Sequence, residues 1–290
     1  MKMETGIYVP LITPFTAQGE VDYDGLYQAT KHVLKQNVDG IYAVGGTSEF
    51  CVLSTEERKK CLETIISAAD GVKVIAHVGA TSLREALELA RHAERVGADM
   101  LSAVAPYYFG YSFAKIKEYF FAIAQETKLE LMVYSASQSI QYSMKDFSEL
   151  LQNEKITAVK YTGSDFYKLE RLVHAFPNKK FYSGMDEAFL SAQIVGAAGA
   201  IGTTFNYYGS HYAESRKLLL EGKNSQALEI AHKLNAMTEL LISIGNVIGG
   251  TKYIMSLQGL DIATDCRTPF PIIDEEKQAK LKELFERNNL

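Results

Sequence analysis

Between residues 7 and 205, short apolar runs rich in β-branched residues alternate with stretches of helical period. The runs fall at 7–14, 40–46, 72–79, 100–105, 129–135, 156–162, 180–184 and 200–205. Amphipathic segments at 23–36, 55–69, 83–96, 113–127, 144–154, 166–176 and 187–195 lie between them. Continuous apolar strands separated by helices of about 10–15 residues indicate βαβ units and a parallel sheet buried on both faces. Eight such units without a Pro-, Gly- or Ser-rich linker favour closure into a (β/α)8 TIM barrel over an open doubly wound sheet. Beyond residue 205 the pattern turns wholly helical, at 212–220, 225–244, 251–257 and 275–287. One of these segments completes the eighth unit, and the others predict a C-terminal helical extension. The expected division is a barrel over 1–222 and an extension over 223–290 packed on it.

A length of 290 residues suits either two ordinary domains or one large barrel with additions. The repeated strand–helix pattern selects the second. A formal net charge of −5 and the lack of a basic stripe argue against a nucleic-acid partner. The most apolar late stretch, 240–248, is interrupted by Gly245 and Asn246. It falls well short of the ~20 residues that span a bilayer, so no membrane partner is expected. Cys51, Cys61 and Cys266 show no C-x-x-C spacing, and the start runs into a strand rather than a signal-type apolar region. Both features predict reduced thiols and a cytoplasmic location. The six histidines lack metal-ligand spacing, and neither dinucleotide nor P-loop glycine patterns occur, so no metal or cofactor is expected. His77, inside an apolar strand run, reads as a satisfied core histidine rather than a ligand.

Barrels of this kind carry their chemistry at the C-terminal ends of the strands. There the most informative residue is Lys160, within Ile156-Thr157-Ala158-Val159-Lys160-Tyr161-Thr162. Lysine is rarely buried without a partner, and desolvation disfavours its ammonium form. A neutral amine is what attack on a ketone requires, giving a Schiff base that serves as an electron sink. The alternative is a strand-end lysine that snorkels to water. Gly46, Thr47 and Ser48 could cradle a small carboxylate, or simply cap the next helix. Tyr134 ends the fifth strand and is a candidate proton carrier for a substrate near Lys160, or a half-buried core aromatic. Asp186 and Glu187, after Gly184, could accept hydrogen bonds from a polyol, or suit the first turn of a helix. Thr203 and Thr204 offer hydroxyls after the eighth strand.

Taken together these residues resemble the N-acetylneuraminate lyase/dihydrodipicolinate synthase family of pyruvate-dependent class I aldolases. The resemblance runs from Gly6-Ile7-Tyr8 to Cys266-Arg267. Its most specific parts are Val159-Lys160-Tyr161-Thr162 with Asp165 to Arg171, Gly184-Met185-Asp186-Glu187, and Gly199 to Asn206. These resemble the lyase branch. The resemblance implies that Lys160 forms the Schiff base, that Tyr134 shuttles the proton, and that the Gly46-Thr47 segment binds the keto-acid carboxylate. It likewise implies that Thr162, Gly184, Asp186, Glu187 and Thr203 hold the sugar hydroxyls, and that Tyr108 reaches toward a neighbouring subunit's site in a homo-oligomer, commonly a tetramer. The implied reaction is cleavage of N-acetylneuraminate to pyruvate and N-acetylmannosamine. Another 2-keto-3-deoxy sugar acid, dihydrodipicolinate synthesis, or a non-catalytic keto-acid-binding barrel remain as alternatives. Three departures stand out: Gly46 replaces the first of two adjacent hydroxyl residues and Ser48 a glycine; Ser135-Ala136-Ser137 follows Tyr134 where Asn-(Ile/Val)-Pro is usual; and Gln138-Ser139-Ile140 offers no arginine for a second carboxylate.

Overall fold

A computed structural model describes residues 5–136 and 142–288. Eight parallel strands, β1 (Gly6–Pro10), β2 (Gly40–Ala43), β3 (Lys73–His77), β4 (Met100–Val104), β5 (Leu131–Ser135), β6 (Ile156–Tyr161), β7 (Lys180–Ser183) and β8 (Gly199–Ile201), pair in sequence order. The last strand returns to the first, through Gly6 opposite Gly199, and closes the barrel. The seam is tight, because a Cβ on Gly199 would sit 1.8 Å from the Gly6 carbonyl oxygen.

The outer ring is α1 (Tyr23–Leu34), α2 (Thr55–Ala68), α3 (Leu83–Val96), α4 (Phe113–Glu126), α5 (Met144–Leu151), α6 (Phe166–Ala175), α7 (Phe189–Ile194) and α8 (Phe205–Leu220). Local signals start and stop these helices. Ser54 caps α2 in a capping box with Glu57, Ser143 does the same for α5 with Asp146, and left-handed Gly97 ends α3. Next come α9 (Asn224–Ile244), α10 (Val247–Leu257) and α11 (Glu275–Asn288), the C-terminal extension, which packs on α8.

Two cores result. The larger lies between the sheet and the helices. The smaller fills the lumen with Tyr8, Tyr42, Ile75, Met100, Met132, Ala158, Tyr182 and Ile201. Side chains two residues apart share a strand face. His77, Ser102, Tyr134 and Lys160 therefore form the next lumen layer above Ile75, Met100, Met132 and Ala158, toward the C-terminal mouth. That period places the chemistry.

Several predicted boundaries move. The first strand stops at Pro10, not residue 14: Leu11 N makes the last ladder bond, to Tyr42 O (3.2 Å), and Ile12 and Thr13 leave the ladder while staying buried; the Asn206 side chain donates to Pro10 O (2.9 Å) and accepts from Ile12 N (3.3 Å). The eighth strand ends at Ile201, and α8 begins at Phe205, well ahead of the expected 212. A kink at Tyr208 (φ −124°, ψ 20°) explains why the helical period was visible only beyond it.

Candidate active site

Lys160 and Tyr134 are cross-strand partners of the β5–β6 ladder, so their side chains rise side by side from one face. Lys160 is 5% exposed. Its Nζ lies 4.4 Å from the Tyr134 ring centroid and 4.6 Å from that of Tyr42. Among the described residues no carboxylate is within ion-pair distance of it. The half-buried Tyr134 ring meets those of Tyr42 and His77 edge-on, and Tyr42 Oη lies 2.9 Å from Ser102 Oγ. The snorkelling alternative for Lys160 is thereby removed. The amine is held inside the barrel mouth by aromatic faces.

Beside it, Thr162 Oγ1 is buried without a hydrogen-bond partner. A Cβ on Gly184 would fall 1.9 Å from that hydroxyl and 3.1 Å from Lys160 Cε, so glycine keeps this flank of the amine open. An unsatisfied buried hydroxyl costs free energy unless a ligand completes it.

Gly46, Thr47 and Ser48 form one 3-10 turn. Its residues split in purpose. Thr47 Oγ1 lies 2.8 Å from Thr203 Oγ1, joining the second and eighth strand ends. Ser48 Oγ donates to Leu11 O at 2.5 Å and so secures the turn from behind. A Cβ at Gly46 would meet nothing within 4 Å.

Asp186 does not cap α7. Its Oδ2 accepts from Thr204 N (2.6 Å) and Thr204 Oγ1 (2.7 Å), and burial raises its pKa above the usual aspartate value against the pull of those bonds. Thr204 Oγ1 also lies 2.9 Å from Tyr212 Oη. Glu187 is exposed; its carbonyl accepts from Asn235 Nδ2 on α9 (3.0 Å), and it borders a cavity of about 460 Å³ lined with His232, Glu239 and Ile242.

His77 is a core residue, as expected. Nδ1 lies 3.2 Å from Val44 O and Nε2 accepts from Val104 N at 3.3 Å, a pair of roles that fits the neutral ring. Burial, with Arg58 and Lys160 nearby, holds its pKa well below the ordinary histidine value. Tyr108 stands apart from the Lys160 cluster, 80% exposed and edge-on to Phe109. Ser137 and Gln138-Ser139-Ile140 lie outside the described residues. Among the described residues no group of three or more His, Cys, Asp or Glu is arranged to hold a metal ion, and no helix is long and apolar enough to cross a membrane.

Sequence reasoning gave no role to Glu49 or Lys252, and none to Tyr42. Glu49 and Lys252 form a wholly buried ion pair of 2.7 Å across 203 residues. Only a charged residue in an otherwise uncharged helical run, Lys252 in Ile248 to Leu257, hinted at it.

The comparisons with known proteins agree with the fold. Residues 3–288 match the model of the dihydrodipicolinate synthetase family. An N-acetylneuraminate lyase of Fusobacterium nucleatum is 38% identical over 286 residues, covering 97% of this chain and 98% of that one. A crystal structure from Clostridium difficile, in complex with mannosamine, superposes with a TM-score of 0.96 at 35% identity, over 99% of this chain and all of the other. The Fusobacterium nucleatum lyase complexed with pyruvate gives 0.93 at 37% identity, over 99% and 97% of the two chains.

Proposed function

This chain belongs to the dihydrodipicolinate synthetase family, and on that premise we propose that it is a Schiff-base aldolase cleaving N-acetylneuraminate to pyruvate and N-acetylmannosamine. One observation carries the reading: a buried lysine amine that has no carboxylate partner among the described residues, beside an unsatisfied Thr162 hydroxyl at the mouth of the barrel. Lys160 Nζ adds to the C2 ketone of the open-chain sugar acid, and loss of water gives the protonated imine. Tyr134, whose ring adjoins the amine, gives its phenolic proton to the departing water and, as the phenolate, takes the proton from the C4 hydroxyl. The C3–C4 bond breaks, its electron pair moves into the imine, and the C4 aldehyde leaves as N-acetylmannosamine. The enamine gains a proton at C3 and is hydrolysed to pyruvate, freeing Lys160.

In this reading the Gly46–Ser48 turn receives the carboxylate, with the Thr47 hydroxyl as donor and Ser48 as its brace. Thr162, Gly184, Asp186, Glu187 and Thr203 surround the sugar. We further take residues 1–222 as the barrel and 223–290 as its extension. We assign the enzyme to the cytoplasm as a homotetramer, in which the exposed Tyr107, Tyr108, Phe109 and Tyr111 meet a second copy and Tyr108 serves that copy's site.

Borohydride reduction in the presence of pyruvate, followed by peptide mapping, tests the mechanism. A pyruvyl adduct on Lys160 is expected, and its absence or another location overturns the reading. Cleavage of N-acetylneuraminate against a panel of 2-keto-3-deoxy sugar acids tests the substrate. Gly46, which removes one hydroxyl from the carboxylate turn, favours one rival, a barrel that binds a keto acid without turnover. Pyruvate binding with no cleavage of any sugar acid would establish it.

A further inference from the structure

The turn that carries Thr47 is bounded by two residues in the left-handed region, Val44 (φ 55°) and Glu49 (φ 59°). A β-branched valine there is a conformational outlier, and such backbone persists only where its surroundings over-determine it. At the Val44 end the support comes from within the barrel, through the His77 ring against the Val44 carbonyl. At the Glu49 end it comes from the extension. Glu49, 0% exposed, accepts from Lys252 Nζ of α10 (2.7 Å) and from Arg267 N (2.9 Å). Lys252, also 0% exposed, donates again to Asp265 O (2.9 Å) and packs over the Phe15 ring at 4.6 Å. Arg267 also lies over the Phe15 ring, its guanidinium bound to Glu57, Gly19 O and Val52 O.

We propose that Glu49 and Lys252 are positioning residues, a buried ion pair through which the C-terminal extension fixes the Gly46–Ser48 turn for the keto-acid carboxylate. Neither side chain touches substrate. Their effect passes through the backbone of residues 46–49, where Glu49 N donates to Gly46 O at 2.9 Å. Shape alone does not require charge here, since well-packed neutral residues commonly replace a buried ion pair without loss of stability. The stability and the geometry of the turn are therefore separable.

The test rests on the pyruvate reading above, and uses the borohydride-trapping half-saturation for pyruvate beside the thermal midpoint. The set is the parent, Glu49→Gln, Lys252→Met and the double variant Glu49→Gln/Lys252→Met. Lys252→Met strands a buried carboxylate and lowers the midpoint most; the double variant recovers it. The expected result is that half-saturation rises roughly tenfold in every variant, the recovered double included, while adduct formed at saturating pyruvate stays close to the parent's. A double variant with restored midpoint and a half-saturation within about twofold of the parent overturns the proposal, leaving the pair a stability element. Glu49→Gln keeps the volume and an acceptor for the Arg267 amide, so its half-saturation decides the same question if Lys252→Met does not fold. If the parent itself traps no pyruvate, the proposed function fails instead, which keeps the two outcomes distinct.

Discussion

Two lysines lie buried near the same barrel mouth, and they are held in opposite ways. Lys252 is matched: a carboxylate, a backbone carbonyl and an aromatic face accept its charge. Lys160 has, among the described residues, the rings of Tyr42 and Tyr134 and no carboxylate. A cation over a ring face gains less than one against a carboxylate in the same low-dielectric setting. The first arrangement commits the ammonium to structure. The second leaves the amine in the barrel mouth with no carboxylate to hold it. Burial alone does not mark a reactive lysine; the company it keeps does.

Removing the two amines should divide cleanly along that line. Lys160→Met should abolish the pyruvyl adduct and lower cleavage by roughly 10⁴-fold or more, since no other group forms the covalent intermediate. Its thermal midpoint should stay at or above the parent's, because an amine without a carboxylate partner gives way to an apolar side chain of similar length. A midpoint that falls by as much as in Lys252→Met would mean that Lys160, too, is structural.

Lys252→Met should do the reverse. Leaving Glu49 buried and unpaired is expected to cost about 3–5 kcal/mol in urea or thermal unfolding, with the covalent step intact at saturating pyruvate. Loss of less than about 1 kcal/mol would show that water or Arg267 satisfies Glu49, and the contrast between the lysines would weaken.

The sequence showed one of these lysines and hid the other for a physical reason. Lys160 breaks a six-residue strand, Ile156–Tyr161, whose neighbours are all apolar or β-branched, so its placement is anomalous on local grounds. Lys252 sits in α10 between Thr251 and Tyr253, where a lysine on a helix reads as a surface residue, and its partner is 203 residues away. Period-2 and period-3.6 patterns reveal which face a residue occupies, not which distant residue shares its pocket. The start of α10 was hidden similarly. Gly249 and Gly250 look like helix breakers, yet a Cβ at Gly250 would meet Leu241 Cδ2 of α9 at 2.3 Å, and one at Gly249 would meet Asn246 Nδ2 at 2.7 Å and Ile273 Cγ1 at 2.9 Å, so close packing calls for both. The order of the strands around the barrel, by contrast, was legible from the repeated strand–helix period, although the first and eighth strands stop earlier than their apolar runs.

The extension's second contact with the barrel adds a pH signature on the Lys252 side. Hydrogen bonding to Arg267 holds the Glu57 carboxyl down at about 2, against the opposing effect of its partial burial. Its folded value lies below the unfolded value of about 4.3. The stabilisation is therefore complete above pH ~4.3 and is lost as pH falls toward 2. Glu57→Gln preserves the capping box at Ser54 but not the charge. It should cost on the order of 1 kcal/mol near neutral pH, after allowing for solvent screening, with the gap to the parent closing between about pH 4 and pH 2. A gap independent of pH would assign the loss to packing rather than to charge.

An effect of similar, small size lies on the Lys160 side, at Gly46. Its backbone φ is not in the left-handed region, and an added Cβ meets nothing within 4 Å, so serine fits without strain. The neighbouring Ser48 does not supply the absent hydroxyl, because its Oγ is engaged with Leu11 O. Gly46→Ser should therefore offer the carboxylate a second donor beside Thr47. A hydrogen bond of about 0.5–1.5 kcal/mol corresponds to a pyruvate half-saturation lower by roughly twofold to tenfold. The thermal midpoint should also rise slightly, since serine has fewer unfolded conformations to lose. Weaker pyruvate binding in Gly46→Ser would instead mean that the open space at this position is filled by the ligand itself. In that case the turn is shaped for a carboxylate approaching closer to the backbone than a hydroxyl pair would allow.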